Sequence, residues 1–206
     1  DRDNSSKCGT EFMRWITTYG REGRWLTDIS PYLFMLEDND VRNFKYQGAN
    51  KGTLTVKLLF SNWNIGERST SGEQVFTGGQ FAGEYNNESI YKRQHNFTAL
   101  SEYNSLKIVA TITGHGFNQD QANCAEFCDH EHHYYLNGNT AYEWHPIVYD
   151  SQGCEKEVDD GVVANQYGSW PFGRAGWCAG QDVKQWVYDI TDWVDNSSTN
   201  NLLYRG

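Results

Sequence analysis

Two cysteines four positions apart constrain this chain more than any other feature: Cys124-Ala125-Glu126-Phe127-Cys128 sets a carboxylate between two thiols. A disulfide closing so short a loop would make a rigid knuckle with Glu126 at its apex. Such a knuckle is either a plain staple with an incidental acid or a mount for an acid that must point one way. Fixed carboxylates cluster at functional sites, though not only there.

The other cysteines set the compartment. Four of the five lie between Cys124 and Cys178, and Cys8 stands far off. The odd count implies a free thiol or a partner in another chain reached through Cys8. Sequons begin at Asn4, Asn87, Asn96 and Asn196. With the cysteine pattern they favour a secreted, extracellular, glycosylated protein, and Asp1-Arg2-Asp3 reads as a processed N-terminus. A formal charge of -10 disfavours nucleic acid as a partner. No apolar run approaches membrane-spanning length, so no membrane insertion is expected.

Strand patterns dominate. Thr53–Phe60 begins in clean alternation, and Leu106–Thr113 is rich in β-branched residues. His132–Leu136 runs into Asn137-Gly138, a hairpin turn signal, and Gln185–Ile190 reads as a further strand. Short helical turns are predicted at Ser30–Leu36, capped by Asp28 or Ser30 with Pro31 at its first position, and at Thr191–Asp195. With 15% aromatic residues, the chain suits an all-β protein. Between Asn64 and Asn104 a polar, glycine-bearing region reads as a linker plus an edge strand or two. The expected division is a partial domain over 1–75 and a complete sandwich over 76–206.

Unusual residues concentrate between Gly114 and Cys178. Gly114-His115-Gly116-Phe117 follows a strand, where glycines would let the backbone turn sharply. His130 and His132 would share one face of a strand and are weak metal candidates. Asp129 and Glu131 alternate onto the other face, as in an ordinary polar strand start. The only methionines, Met13 and Met35, lie far from the histidines, which weakens a copper-type site. The alternative is carboxylate chemistry. Glu126 would act as acid, base or hydrogen-bond acceptor, and Arg174 would hold an oxyanion or orient the acid. Trp170 and Trp177 would offer flat surfaces to a sugar. Taken singly, an ion pair for Arg174 and disulfide packing for Trp177 are the blander readings.

These residues resemble a known family. Gly114-His115-Gly116, Cys124-Ala125-Glu126-Phe127-Cys128, His132, Asn137-Gly138 and Arg174-Ala175-Gly176-Trp177-Cys178 resemble the C-terminal domain of peptide-N-glycosidase F. Arg14–Gly20 and Trp25–Ser30 resemble the latter part of that family's N-terminal domain. The resemblance implies two antiparallel jelly-roll sandwiches side by side, the first incomplete here, as in the copper-dependent peptidylglycine hydroxylases. It implies disulfides Cys124–Cys128 and Cys154–Cys178. The activity it implies is hydrolysis of the amide between N-acetylglucosamine and asparagine, with no cofactor, acting on an N-glycan or glycoprotein. Glu126 and Arg174 are the implied catalytic residues. Trp63, Ser61, His115 and Trp177 are the implied substrate-binding positions.

The departures from the family pattern define two readings. The family's principal aspartate lies in a Cys-Asp-x-Trp-Asp-Arg stretch that nothing here matches. Ser61 stands where a second family glutamate is expected, two residues before Trp63, and His115 replaces a family tryptophan. The first reading is a catalytically impaired module that binds glycans or builds an extracellular assembly. The second is an active amidase, or a fragment of one. A copper monooxygenase-like protein is a distant third.

Overall fold

The computed structural model describes residues 9–48, 52–62, 68–75, 92–100, 102–115, 125–129, 131–143, 150–165 and 168–206. The chain divides into two compact units: Asp1–Phe12 with Asp28–Gln74, and Met13–Thr27 with Val75–Gly206. The segment Met13–Thr27 goes with the larger unit.

All described strands are antiparallel and belong to the larger unit. They are β1 (Arg93–Thr98), β2 (Lys107–Ala110), β3 (His132–Leu136), β4 (Asn139–Glu143), β5 (Trp186–Asp189) and β6 (Thr199–Arg205). One sheet has the order β1-β6-β3-β4, and β2 pairs with β5 in a second. The all-β expectation holds, with β2, β3 and β5 falling within the runs expected at 106–113, 132–136 and 185–190. β1 is the edge strand foreseen in the polar region, and β6 is an element the sequence reading did not name.

Side-chain alternation explains the assembly. Along β3, His132, Tyr134 and Leu136 turn inward while His133 and Tyr135 do not, as the two-residue period of a strand requires. Tyr134, Leu136, Ala141, Ile190 and Leu202 form the buried centre, and Ile108, Trp186 and Tyr188 of the second sheet pack on it. Tyr134 stacks on Trp186 with centroids 5.0 Å apart. The two sheets thus share one core, and full burial of Leu136 contributes about 2 kcal/mol.

The hairpin joining β3 and β4 turns on Asn137 (φ 50°) and Gly138 (φ 89°), the left-handed pair of a type I′ turn. Asn137 also fixes the neighbouring strand: its Nδ2 donates to Asn200 Oδ1 at 2.7 Å, and its Oδ1 accepts from the Asn201 N–H at 3.0 Å. Asn200 is fully buried, and its Nδ2 donates to the Asp195 carbonyl. A buried carboxamide with its groups paired pins the turn, since leaving one unpaired costs about 1–3 kcal/mol.

The segment Met13–Thr27 is bound to the larger unit by backbone bonds from Ile16 N–H to Gln181 O and from Val183 N–H to Arg14 O, both 2.8 Å. Ile16, Trp177 and Val183 form a small cluster beneath it. Cys154 and Cys178 are joined, as the resemblance implies.

The smaller unit is held by a 3₁₀ turn over Ser30–Met35 and by Phe12 meeting Tyr32 and Phe44 edge-on. The Asp28 carboxylate accepts from the Ser30 N–H at 2.9 Å, and Pro31 occupies the second helical position rather than the first. The strand expected at Thr53–Phe60 is a correction: residues 52–62 carry no ladder, and Leu59 and Phe60 stand 76% and 75% exposed. Alternation reports a two-faced extended segment, but a strand also needs a neighbour to take its N–H and C=O groups.

Candidate functional site

Three separate pieces of chain meet at Ala175. Its N–H donates to the Glu126 carbonyl at 3.0 Å, and its carbonyl accepts from the Gly114 N–H at 2.7 Å. Gly114 is required by this approach, because a Cβ there would lie 2.6 Å from Cβ of the fully buried Ala175. The need is close contact rather than a sharp turn. Gly176, at φ 80°, supplies the turn that follows Arg174.

Arg174 sits at the centre with its side chain 1% exposed. Nε donates to Glu126 Oε1 at 3.0 Å. Nη1 reaches the carbonyls of Phe172 at 3.2 Å and Trp170 at 3.4 Å, and Nη2 donates to Ser169 Oγ at 3.0 Å. The guanidinium carbon lies 5.0 Å from the Phe127 ring centre and 4.6 Å from that of Trp177. A buried cation survives only when paired and hydrogen-bonded. Here all three guanidinium nitrogens are engaged and two aromatic rings add their π faces.

Glu126 is the outward member of the pair. It lies on the short 3₁₀ turn Ala125–Phe127, and its side chain is 21% exposed. Oε1 is held by Arg174, and Oε2 makes no other hydrogen bond among the described residues. The arrangement therefore holds a partly exposed carboxylate by one of its oxygens.

His115 and Trp177 complete the cluster. Trp177 is 7% exposed. Its Nε1 donates to the Gly114 carbonyl at 2.6 Å, and the His115 ring lies 4.9 Å away, tilted 33°. His115 keeps an exposed edge. Crowding by its neighbours lowers its pKa to about 4, and the positive charges of Arg14 and Arg174 act in the same direction. The imidazole is thus neutral at physiological pH.

The structure brings Glu126, Arg174, His115 and Trp177 into one cluster, but buries Trp177 where a sugar platform was expected. Trp170 packs on the Cys154–Cys178 cluster. Ser61 is exposed and belongs to the smaller unit. Trp63, Cys8, Cys124, His130, Asn4 and Asn87 lie outside the described residues. Cys128 is disulfide-bonded. His132 is buried, with Nδ1 2.8 Å from the Tyr204 hydroxyl, and burial pushes that phenol's pKa up. Among the described residues no group of three or more His, Cys, Asp or Glu side chains is placed to hold a metal. Asn96 and Asn196 are both exposed. Ser169 and Phe127 are site residues that sequence reasoning missed. Phe127 stood inside the knuckle motif, whereas no pattern marks Ser169.

The family model described as "Peptide-N-glycosidase F, C terminal" matches residues 84–205. No curated protein matches the chain. Two solved structures are similar. One is a recombinant peptide:N-glycanase F, at 24% identity over 55% of this chain, with a TM-score of 0.40. The other is PNGase F, a glycosylasparaginase from Flavobacterium meningosepticum, at 23% identity over 56% of this chain, with a TM-score of 0.37. In each case the match covers 35% of the other protein's length. The match over residues 84–205 takes in the knuckle, the buried arginine and both sheets, and the chain belongs to the peptide-N-glycosidase F family through its C-terminal domain.

Proposed function

We propose that this chain is a glycan- or glycoprotein-binding module of the peptide-N-glycosidase F type. In this reading Glu126 accepts a hydrogen bond from the sugar–asparagine linkage, and hydrolysis is weak or absent. The observation that carries it is the engagement of Arg174. Amide hydrolysis needs a group that activates water and donors aimed at the developing oxyanion. The guanidinium is 1% exposed and bonded to Glu126, Ser169, Trp170 and Phe172. It orients the acid and has no free face to offer an oxyanion. His115, exposed and neutral, is the second polar group at the surface of the cluster, suited to exchanging a hydrogen bond with a hydroxyl or acetamido group.

An active amidase is the second reading. An intact Glu126–Arg174 pair with a partly exposed carboxylate favours it, because a mere staple has no need of a buried guanidinium. A secreted setting is supported by the Cys154–Cys178 bond and the bonded state of Cys128. Pairing of Cys128 with Cys124 would leave Cys8 as the odd cysteine, a free thiol or one bonded to a cysteine outside this sequence. Asn96 and Asn196 are exposed enough to carry glycans.

Incubation with a denatured N-glycoprotein, scored for released glycan and for conversion of Asn to Asp, separates the readings. No release with saturable glycopeptide binding is expected. Release that vanishes on Glu126→Gln would overturn the binding-module reading.

A further inference from the structure

Downstream of Arg174, at Gly180 and Gln181, the chain borders a concavity. Met13–Thr27 is laid against Gln181 and Val183, and the Val163 N–H donates to Ala179 O at 2.9 Å. Where these pieces of chain diverge they leave a cavity of about 560 Å³, within the size range of small-ligand sites.

Its wall is the indole of Trp25. Nε1 donates to the Gly180 carbonyl at 2.7 Å, and the ring stacks on Trp15 at 5.3 Å with planes 29° apart. Two independent contacts therefore fix the plane of the indole. Gly23 makes room for it, since a Cβ there would come within 2.3 Å of the ring. Gly180, at φ 86°, keeps the floor to bare backbone: a Cβ there would meet Val163 at 2.8 Å.

The cavity is also lined by Glu22, Arg24, Asp160, Gln181 and Asp182. Arg24 pairs with Glu22 at 2.9 Å, and Thr27 Oγ1 donates to Asp182 at 3.4 Å. Asp160 is exposed, and its carboxylate accepts no hydrogen bond among the described residues. Three carboxylates against one guanidinium leave the lining negative, which repels acidic or sulfated ligands. Arg24 and the Gln181 carboxamide add donors to these acceptors. A hydroxyl both donates and accepts, whereas an ammonium only donates. A fixed indole in the wall of a cavity lined by such groups suits the C–H face of a pyranose.

We propose that this cavity, walled by Trp25 and edged by Asp160, Gln181 and Asp182, is a second saccharide site for uncharged pyranose sugars, separate from Glu126. It rests on the cavity's own groups and stands whether or not Glu126 binds a glycan.

The test titrates the full chain with N,N′-diacetylchitobiose and with a mannose trisaccharide, read by saturation-transfer NMR and tryptophan fluorescence. Asp160→Ala combined with Gln181→Ala removes two hydrogen-bonding groups and is expected to weaken binding about tenfold, with the circular dichroism spectrum unchanged. Trp25→Phe, which keeps a ring over Trp15, is expected to weaken it less. Read in the Glu126→Gln background, where a glycan held at Glu126 contributes less, the binding is expected to depend on Asp160 and Gln181 in the same way. The proposal is overturned by binding that ignores the Asp160/Gln181 double substitution, or by binding abolished by Glu126→Gln alone. Preference for choline over both sugars, or no saturable binding of either sugar, also overturns it.

Discussion

Replacing Arg174 with methionine should be the most damaging single change near the site. Methionine keeps much of the apolar stem but removes every donor. Glu126 then loses its partner, the carbonyls of Trp170 and Phe172 lose a shared donor, and Ser169 loses its own. Removing one member of a buried ion pair costs about 3–5 kcal/mol. The 21% exposure of Glu126 lets water recover part of this, which sets the expectation near ~3 kcal/mol. Glu126→Gln is milder, because the carboxamide oxygen still accepts from Nε and Arg174 keeps its other acceptors. A hydrogen bond to a charged group is worth about 1.5–3 kcal/mol, so a loss of about 1–2 kcal/mol is expected. In the double variant the two losses should fall short of additivity by at least about 1 kcal/mol, as for residues in direct contact. Urea unfolding followed by fluorescence and circular dichroism measures all three, and a domain of ordinary stability tolerates each change. Additive losses, or an Arg174→Met cost below about 1 kcal/mol, would refute the view that the guanidinium anchors Glu126. Arg174→Lys tests geometry apart from charge. It should recover little, since an ammonium cannot reach all four acceptors at once.

Three further outcomes follow from the same contacts. Gly114→Ala forces a Cβ to within 2.6 Å of Ala175. It should destabilise by about 1–3 kcal/mol, and the added substitution Ala175→Gly should recover most of the loss in thermal melts. His115 is held neutral in the fold, with a pKa of about 4 against 6.5 when unfolded. The unfolded chain therefore binds more protons in that window, and stability should decline as pH falls from about 6.5 to about 4 and level off below. His115→Phe should remove that part of the pH dependence in urea titrations. Loss of the Cys154–Cys178 bond, which closes a loop with a sequence separation of 24, should cost roughly 3 kcal/mol by chain entropy. Cys154→Ala/Cys178→Ala compared with the parent under oxidising conditions measures it.

Local chemistry made part of the fold legible in the sequence. Asn137-Gly138 can occupy left-handed conformations cheaply, so the turn and the strand β3 before it could be placed, while β4 was not named. The β-branched run at 106–113 and the aromatic alternation at 185–190 marked the second sheet. β6 escaped because it opens on Thr199, Asn200 and Asn201, whose polar character suits a loop. Asn200 is nevertheless buried, bonded to Asn137 and to Asp195, a tertiary arrangement that carries no local signal. Thr53–Phe60 misled in the opposite direction, since its alternation says nothing about whether a neighbouring strand is present. At the site, the knuckle and the Arg174 motif were visible, but the burial of Arg174 was not. Arginine is ordinarily exposed, and its acceptors are two carbonyls and a serine that follow no pattern. The Trp25 cavity was hidden for the same reason, because its groups come from 22–25, 160 and 181–182.

The most direct test of the central claim is titration of an N-glycopeptide into the parent chain and into Glu126→Gln, both carrying Asp160→Ala and Gln181→Ala so that the Trp25 cavity contributes little, with binding and the Asn-to-Asp conversion followed in the same samples. The expected result is saturable binding to the parent, weakened about tenfold by the substitution, as loss of a hydrogen bond to a charged acceptor implies, and no conversion in either sample. Equal binding by both chains, or conversion that disappears with Glu126→Gln, would contradict it.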